Sequence, residues 1–148
     1  MSFGPPRPTL TSRPITLTFE IPIGKTDKFW NGLKQGKLIT TKCRACGEIR
    51  FPPSLGCPNC YSTDNEWIEL SRDAEIQTYT HIIVKPASFS QNETYTVAVG
   101  KVKEGVKVLA WLTGFKLDEI KVGMKAQLVG KTTEDGKATY EFKPVNRP

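Results

Sequence analysis

Two cysteine pairs, Cys43-Arg44-Ala45-Cys46 and Cys57-Pro58-Asn59-Cys60, stand ten residues apart and are the only cysteines in the chain. A C-x-x-C hook presents two thiolates to one ion. Two such hooks complete a tetrahedral site with metal–sulfur distances of about 2.3 Å. Four protein donors leave no position open for water or substrate, so the expected metal is structural. Zinc is the expected occupant; iron suits the same four sulfurs, because ligand softness alone does not separate the two. Gly47 follows the first hook where the backbone must turn back, and Pro58 fixes the turn of the second. Paired disulfides and a thioredoxin-type redox role compete with the metal. The absence of a secretion signal weighs against the first, and the closeness of the two hooks against the second. Energetics favour the metal too: roughly 25–30 residues cannot bury enough apolar surface to fold alone. Structural zinc contributes on the order of 10–16 kcal/mol in such peptides.

With all four cysteines engaged as ligands, no thiol remains to act as a nucleophile. His81 is the single histidine and falls in an expected strand, where a packed or half-exposed role is commoner than catalysis. No Gly-rich phosphate loop, G-x-S-x-G elbow or H-E-x-x-H motif occurs. The expectation is a protein that is not itself an enzyme.

Three segments must position this site. Residues 1–24 form a proline-rich arm, with Pro5, Pro6, Pro8, Pro14 and Pro22, that cannot make a continuous helix. Its stretch Ile15–Ile21 alternates apolar and polar residues like an edge strand behind a disordered tip. Residues 25–66 hold a short helix and a zinc ribbon. The helix is expected over about Asp27–Gln35, with Thr26 or Asp27 as its cap and Gly36 as its stop. Phe29 and Leu33 share one face, and Trp30 shares a neighbouring stripe with Lys34 and Lys37. Gly32 costs about 1 kcal/mol relative to alanine, so packing must hold the helix.

Residues 67–148 form the third segment. The runs Ile76–Val84, Thr94–Val102, Val106–Thr113, Lys125–Thr132 and Thr139–Phe142 are rich in β-formers. They are punctuated by Gly105, Gly123 and Asp135-Gly136. The fold class is therefore mainly β: an N-terminal helical segment and zinc ribbon, then a five-stranded oligonucleotide/oligosaccharide-binding (OB) fold barrel. An SH3-like barrel or a small sandwich uses the same strands.

The 148 residues carry a net charge of +6, unevenly spread. Residues 1–41 hold six Lys/Arg against two Asp/Glu, whereas residues 67–148 hold twelve against ten. An anionic partner would meet the N-terminal end. No stretch approaches the roughly 20 apolar residues of a membrane span, and the N-terminus lacks a secretory pattern, so the expected location is the cytoplasm.

The order of motifs is distinctive. Phe29-Trp30-Asn31-Gly32-Leu33-Lys34-Gln35-Gly36-Lys37-Leu38 leads into Cys43-x-x-Cys46-Gly47, then Arg50-Phe51-Pro52-Pro53 and Cys57-Pro58-x-Cys60. Gln77-Thr78-Tyr79-Thr80, Lys121-Val122-Gly123-Met124 and Phe142-Lys143-Pro144 follow. From about residue 25 to 145 the chain resembles the rubredoxin-like zinc-ribbon and OB-fold proteins associated with acyl-CoA. It departs after Trp67, where Ser71-Arg72-Asp73-Ala74 replaces the family's Ser-Gly-x-Gly turn. The resemblance implies a non-catalytic scaffold for thiolase-like CoA-ester enzymes that helps bind or pass on acyl-CoA. Such a ligand wants an aromatic platform, cations and an apolar channel. Trp30, Lys34 and Lys37 are the candidate ligand-binding residues. The alternative is a single-strand nucleic-acid binder, with Tyr79, Tyr95, Trp111 and Phe115 as stacking surfaces. The weak charge of the barrel half speaks against it.

Overall fold

The computed structural model describes residues 10, 19–85, 89 and 93–145. The first four residues of the expected arm strand, 15–18, lie outside these, as does the expected disordered tip apart from Leu10. Phe19, Glu20 and Ile21 are exposed and belong to no strand.

A 3-10 turn at Gly24–Thr26 feeds helix α1, Asp27–Lys34. The start is not capped as expected. Thr26 Oγ1 donates back to the Ile23 carbonyl at 2.6 Å, and Asp27 Oδ1 accepts from the adjacent Lys28 N–H. Asp27 still places a negative charge at the helix N-terminus, where the dipole favours it. The end behaves as expected: Gly36, at φ 72°, turns the chain out of the helix. Phe29, Gly32 and Leu33 are the buried face. Gly32 has its reason here, because a Cβ would meet the Ile39 side chain at 2.9 Å.

Strands β1 (Ile39–Cys43), β2 (Ile49–Arg50) and β3 (Asn65–Glu69) form a small antiparallel sheet in the order β2-β1-β3. Strands β4 (Asp73–Ile82), β5 (Tyr95–Val102), β6 (Lys107–Leu112), β7 (Lys125–Thr132) and β8 (Ala138–Lys143) close a barrel in the order β4-β5-β6-β8-β7. One pairing is parallel: β6 with β8, Trp111 opposite Glu141 and Leu112 opposite Phe142. The protein is thus mainly β, a zinc-ribbon region with one short helix and a five-stranded OB-fold barrel.

Four of the five expected strands agree with the barrel to within a residue or so. The first begins three residues early, at Asp73, because the expected turn is already bound. Ser71 donates its N–H and its hydroxyl to the two carboxylate oxygens of Glu104, at 2.7 and 2.9 Å, and Asp73 pairs with Gln127. Arg72 donates to the Gly36 carbonyl at 3.0 Å. Arg72, where the chain first departs from the Ser-Gly-x-Gly pattern, therefore ties the start of β4 to the turn after α1, and Ser71 ties it to the turn between β5 and β6.

A single core holds both parts together. Phe29, Leu33 and Leu38 pack with Ile76, Leu128 and Phe142, while Trp67 and Phe51 cover its rim. The helix lies on β7 and β8 at Gly130, whose missing side chain lets the Leu33 backbone approach. No helix among the described residues is long and apolar enough to cross a membrane.

Candidate metal centre

The four sulfurs of Cys43, Cys46, Cys57 and Cys60 lie within 4.8 Å of one another. Cys43 Sγ stands 3.5 Å from Cys60 Sγ, and Cys46 Sγ 3.5 Å from Cys57 Sγ. A disulfide needs about 2.0 Å. A tetrahedron of sulfurs at about 2.3 Å from a central ion has edges of about 3.8 Å. The observed spacing belongs to the second geometry, and the donor set fits a soft, tetrahedral divalent ion.

The backbone explains why. The β1–β2 hairpin carries the first hook at its tip, with Cys43 closing β1. The Cys43 N–H donates to the Glu48 carbonyl at 2.8 Å and the Gly47 N–H to the Cys43 carbonyl at 2.9 Å. The second hook repeats the pattern: Cys57 N–H to Ser62 carbonyl at 2.9 Å, Tyr61 N–H to Cys57 carbonyl at 2.7 Å. Arg44 N–H to Asp64 carbonyl, at 3.0 Å, fixes one hook against the other. Buried Thr41 adds a second clamp, its hydroxyl donating to the Ser54 carbonyl and accepting from the Ser54 N–H. Cys43 and Cys57 are buried, Cys46 and Cys60 exposed.

Electrostatics call for a cation. The Glu48 backbone N–H, then the Asn59 side chain, hold the Cys46 thiol down to about 6. The Ser62 backbone N–H favours the Cys60 thiolate, but the neighbouring Cys46 and Cys43 sulfurs outweigh it and push the thiol up to about 12. Four sulfurs this close cannot all be charged without a positive ion among them. The arrangement binds metal structurally.

The candidate ligand residues are spread out. Trp30 is half-buried, its ring meeting Phe29 edge-on at 5.0 Å. Lys34 ends α1, but Lys37 lies beyond the Gly36 turn and so leaves the stripe that Trp30 and Lys34 share. Lys37 lines a groove of about 360 Å³ with Lys28, Asn31 and Trp67; Trp30 and Lys34 do not line it. Among the described residues, the cation over an aromatic ring is Lys28, 5.9 Å from the centre of Trp67. No sequence spacing links those two residues. The Ser71–Glu104 strut escaped sequence reading for the same reason.

Other features are placed as follows. His81 Nδ1 bonds Thr96 Oγ1 at 2.9 Å within the barrel, and Tyr79 donates its hydroxyl to the Ile120 carbonyl at 3.1 Å. Tyr95 and Trp111 stack on each other, 4.6 Å apart and 14° from parallel.

Comparison with known proteins agrees with this architecture. Residues 30–66 match the family described as ChsH2, rubredoxin-like zinc ribbon domain, and residues 67–131 the ChsH2 C-terminal OB-fold domain. A DUF35 domain-containing scaffold protein of Methanocaldococcus jannaschii is 30% identical over 78% of this chain and 88% of its own length. The benzoylsuccinyl-CoA thiolase subunit BbsA of Thauera aromatica is 22% identical over 70% of this chain and 74% of its own. Among solved structures, the Ltp2-ChsH2(DUF35) aldolase aligns with a TM-score of 0.70 and 27% identity, covering 84% of this chain and 98% of that one.

Proposed function

This chain belongs to the family of ChsH2-type rubredoxin-like zinc-ribbon and OB-fold proteins, and from that premise we propose that it is a non-catalytic accessory subunit of a thiolase-like CoA-ester enzyme. It acts in the cytoplasm, tethers the enzyme and helps retain or pass on acyl-CoA. Cys43, Cys46, Cys57 and Cys60 ligate one zinc ion. Residues 25–66 form the metal-bearing part and residues 67–148 the barrel, with residues 1–24 as an arm.

The observation that carries this reading is the closed sulfur cluster. Its four donors satisfy a tetrahedral ion, so the metal holds the ribbon's shape and offers no site for substrate. The names of relatives support the partner class: a thiolase subunit, an aldolase and scaffold proteins. Lys34 and the open rim of Trp30, with Lys37 reaching from the adjacent groove, are the proposed contacts for the anionic end of acyl-CoA.

The test is co-expression with thiolase-like enzymes of the same genome, followed by size-exclusion chromatography and binding of CoA esters. A stable complex with one such enzyme is the expected result. Salt-sensitive binding to single-stranded oligonucleotides, with neither enzyme nor CoA ester bound, overturns it.

A further inference from the structure

An antiparallel sheet with one face in water alternates apolar residues inward and polar residues outward. Strands β5 and β6 break that rule. Inside the barrel, Thr96, Ala98 and Val102 on β5 and Val108, Ala110 and Leu112 on β6 are buried. Outside, Val97 and Val99 stand beside Trp111 and Leu109, which are 39% and 62% exposed. Phe89 tilts against Tyr95 and Trp111, with ring centres 6.0 and 6.4 Å away. It adds a third ring to that end without closing the face, and is itself 36% exposed. Exposed apolar surfaces of this kind mark interaction sites.

The two ends of this face carry opposite charge. Register sets it in rows: Lys101 opposite Lys107, Val99 opposite Leu109, Val97 opposite Trp111. Beyond the last row come Tyr95 and then exposed Glu93. Glu93 lines a hollow of about 540 Å³ with His81, Tyr95, Trp111 and Phe115, and no Lys or Arg lines it. Among the described residues, Glu93, Lys101 and Lys107 form no ion pair. Glu75, across from Lys101 on β4, is already held by Lys125 at 2.7 Å. Like charges directly opposite on neighbouring strands destabilise the pair. The Lys101–Lys107 end therefore wants an anion, and the Glu93 end a cation.

We infer that the outer face of β5 and β6 is a two-fold interface between two copies of this chain. Glu93 and Lys101 stand four residues either side of Val97. A two-fold axis through the row of Val97 and Trp111 brings Glu93 of each copy to Lys101 and Lys107 of the other. The same operation lays Tyr95 on Val99 and Leu109, so the apolar centre closes on itself. A nucleic-acid strand would bring phosphates to Glu93 and find aliphatic side chains at the centre. An enzyme would need the same apolar centre with both end charges reversed; a second copy carries that complement by construction. Aromatic anchors in the centre supply most of the binding energy in such interfaces, and the end charges fix the register. This inference is independent of the accessory-subunit reading.

Sedimentation velocity of the full-length protein over a range of concentrations tests it. The wild type is expected as a dimer. Leu109→Glu and Trp111→Glu each weaken self-association at least tenfold, while Lys25→Glu, in the turn before α1, leaves it unchanged. Charge reversal is the sharper arm. Glu93→Lys by itself, and Lys101→Glu combined with Lys107→Glu, each weaken self-association at least tenfold, because like charges then meet at both ends. Mixed together, these two variants form a heterodimer, and that recovery also shows that both are folded. A wild type that stays monomeric up to its solubility limit overturns the interface and leaves the accessory reading standing. A dimer that survives every substitution, or charge variants that fail to pair when mixed, overturns it too. Binding of a thiolase-like enzyme to monomeric protein, lost in Leu109→Glu, makes the enzyme the occupant. Oligonucleotide binding lost in Trp111→Glu makes it nucleic acid; either result overturns the inference.

Discussion

Tyr61 occupies in the second cysteine hook the position that Gly47 occupies in the first. Each follows the second cysteine of its pair, at φ 59° and 78°, and each donates its N–H to the carbonyl of the first cysteine. Tyr61 is the one described non-glycine residue at positive φ, and it is 86% exposed.

The two positions should answer oppositely to substitution. Gly47→Ala meets no atom within 4 Å, so its cost is the left-handed backbone alone, about 1 kcal/mol. Tyr61→Gly relieves a similar strain but loosens the unfolded chain, leaving a net gain of about 0–1 kcal/mol. Thermal unfolding of metal-loaded protein checks both. A loss above about 1 kcal/mol for Tyr61→Gly means that its side chain holds the fold.

Elemental analysis should find one zinc per chain in the native protein and markedly less in Cys46→Ser. Chelation should remove the far-ultraviolet and hydrogen-exchange signature of β1–β3, since structural zinc is worth on the order of 10–16 kcal/mol in such ribbons. An unchanged metal content in Cys46→Ser contradicts the ligand assignment.

Glu141 is 3% exposed, with Lys131 at 2.6 Å and Lys143 at 3.2 Å. Burial works against its charge, but the two ammonium groups prevail and hold the carboxyl below its ordinary value. The folded pKa is lowered. The contribution is therefore complete above the unfolded value of about 4.3 and is lost as pH falls through the folded one. Lys131→Met should cost about 1–2 kcal/mol at pH 7, less than breaking a wholly buried pair because Lys143 remains. That difference should shrink below about pH 4. Denaturant melts at pH 7 and pH 3.5 measure it; an equal loss at both sinks the electrostatic account.

Gly130→Ala places a Cβ 3.0 Å from the Leu33 carbonyl oxygen and 3.1 Å from its Cα. These are backbone atoms of α1, so relief requires moving the helix off β7. Destabilisation of about 1–3 kcal/mol is expected, with exchange protection lost first in α1. A change within 0.5 kcal/mol would mean that the helix is loosely seated.

Much of this protein was legible from local pattern. The hooks were readable because C-x-x-C spacing lets two sulfurs of one tight turn face the same point. The strands of the barrel were readable because alternation reports a pleat, and Gly36 marked the end of α1 because left-handed backbone favours glycine. Capping at Thr26 was misread, since a hydroxyl can serve a carbonyl behind it as readily as an N–H ahead. The stripe of Trp30, Lys34 and Lys37 was misread because helical periodicity stops at Gly36.

The sequence by itself determined the pairing of the cysteines into two hooks, the five strands of the barrel and the turns between them, because each depends on neighbours within a few residues. Only the tertiary structure decided that Ser71 is held by Glu104, that Glu141 sits between two lysines, and that β5 and β6 are apolar on both faces. Those facts join residues far apart in the chain or divide one strand between inside and outside. Closing the barrel sets both, through the register in which its strands pair.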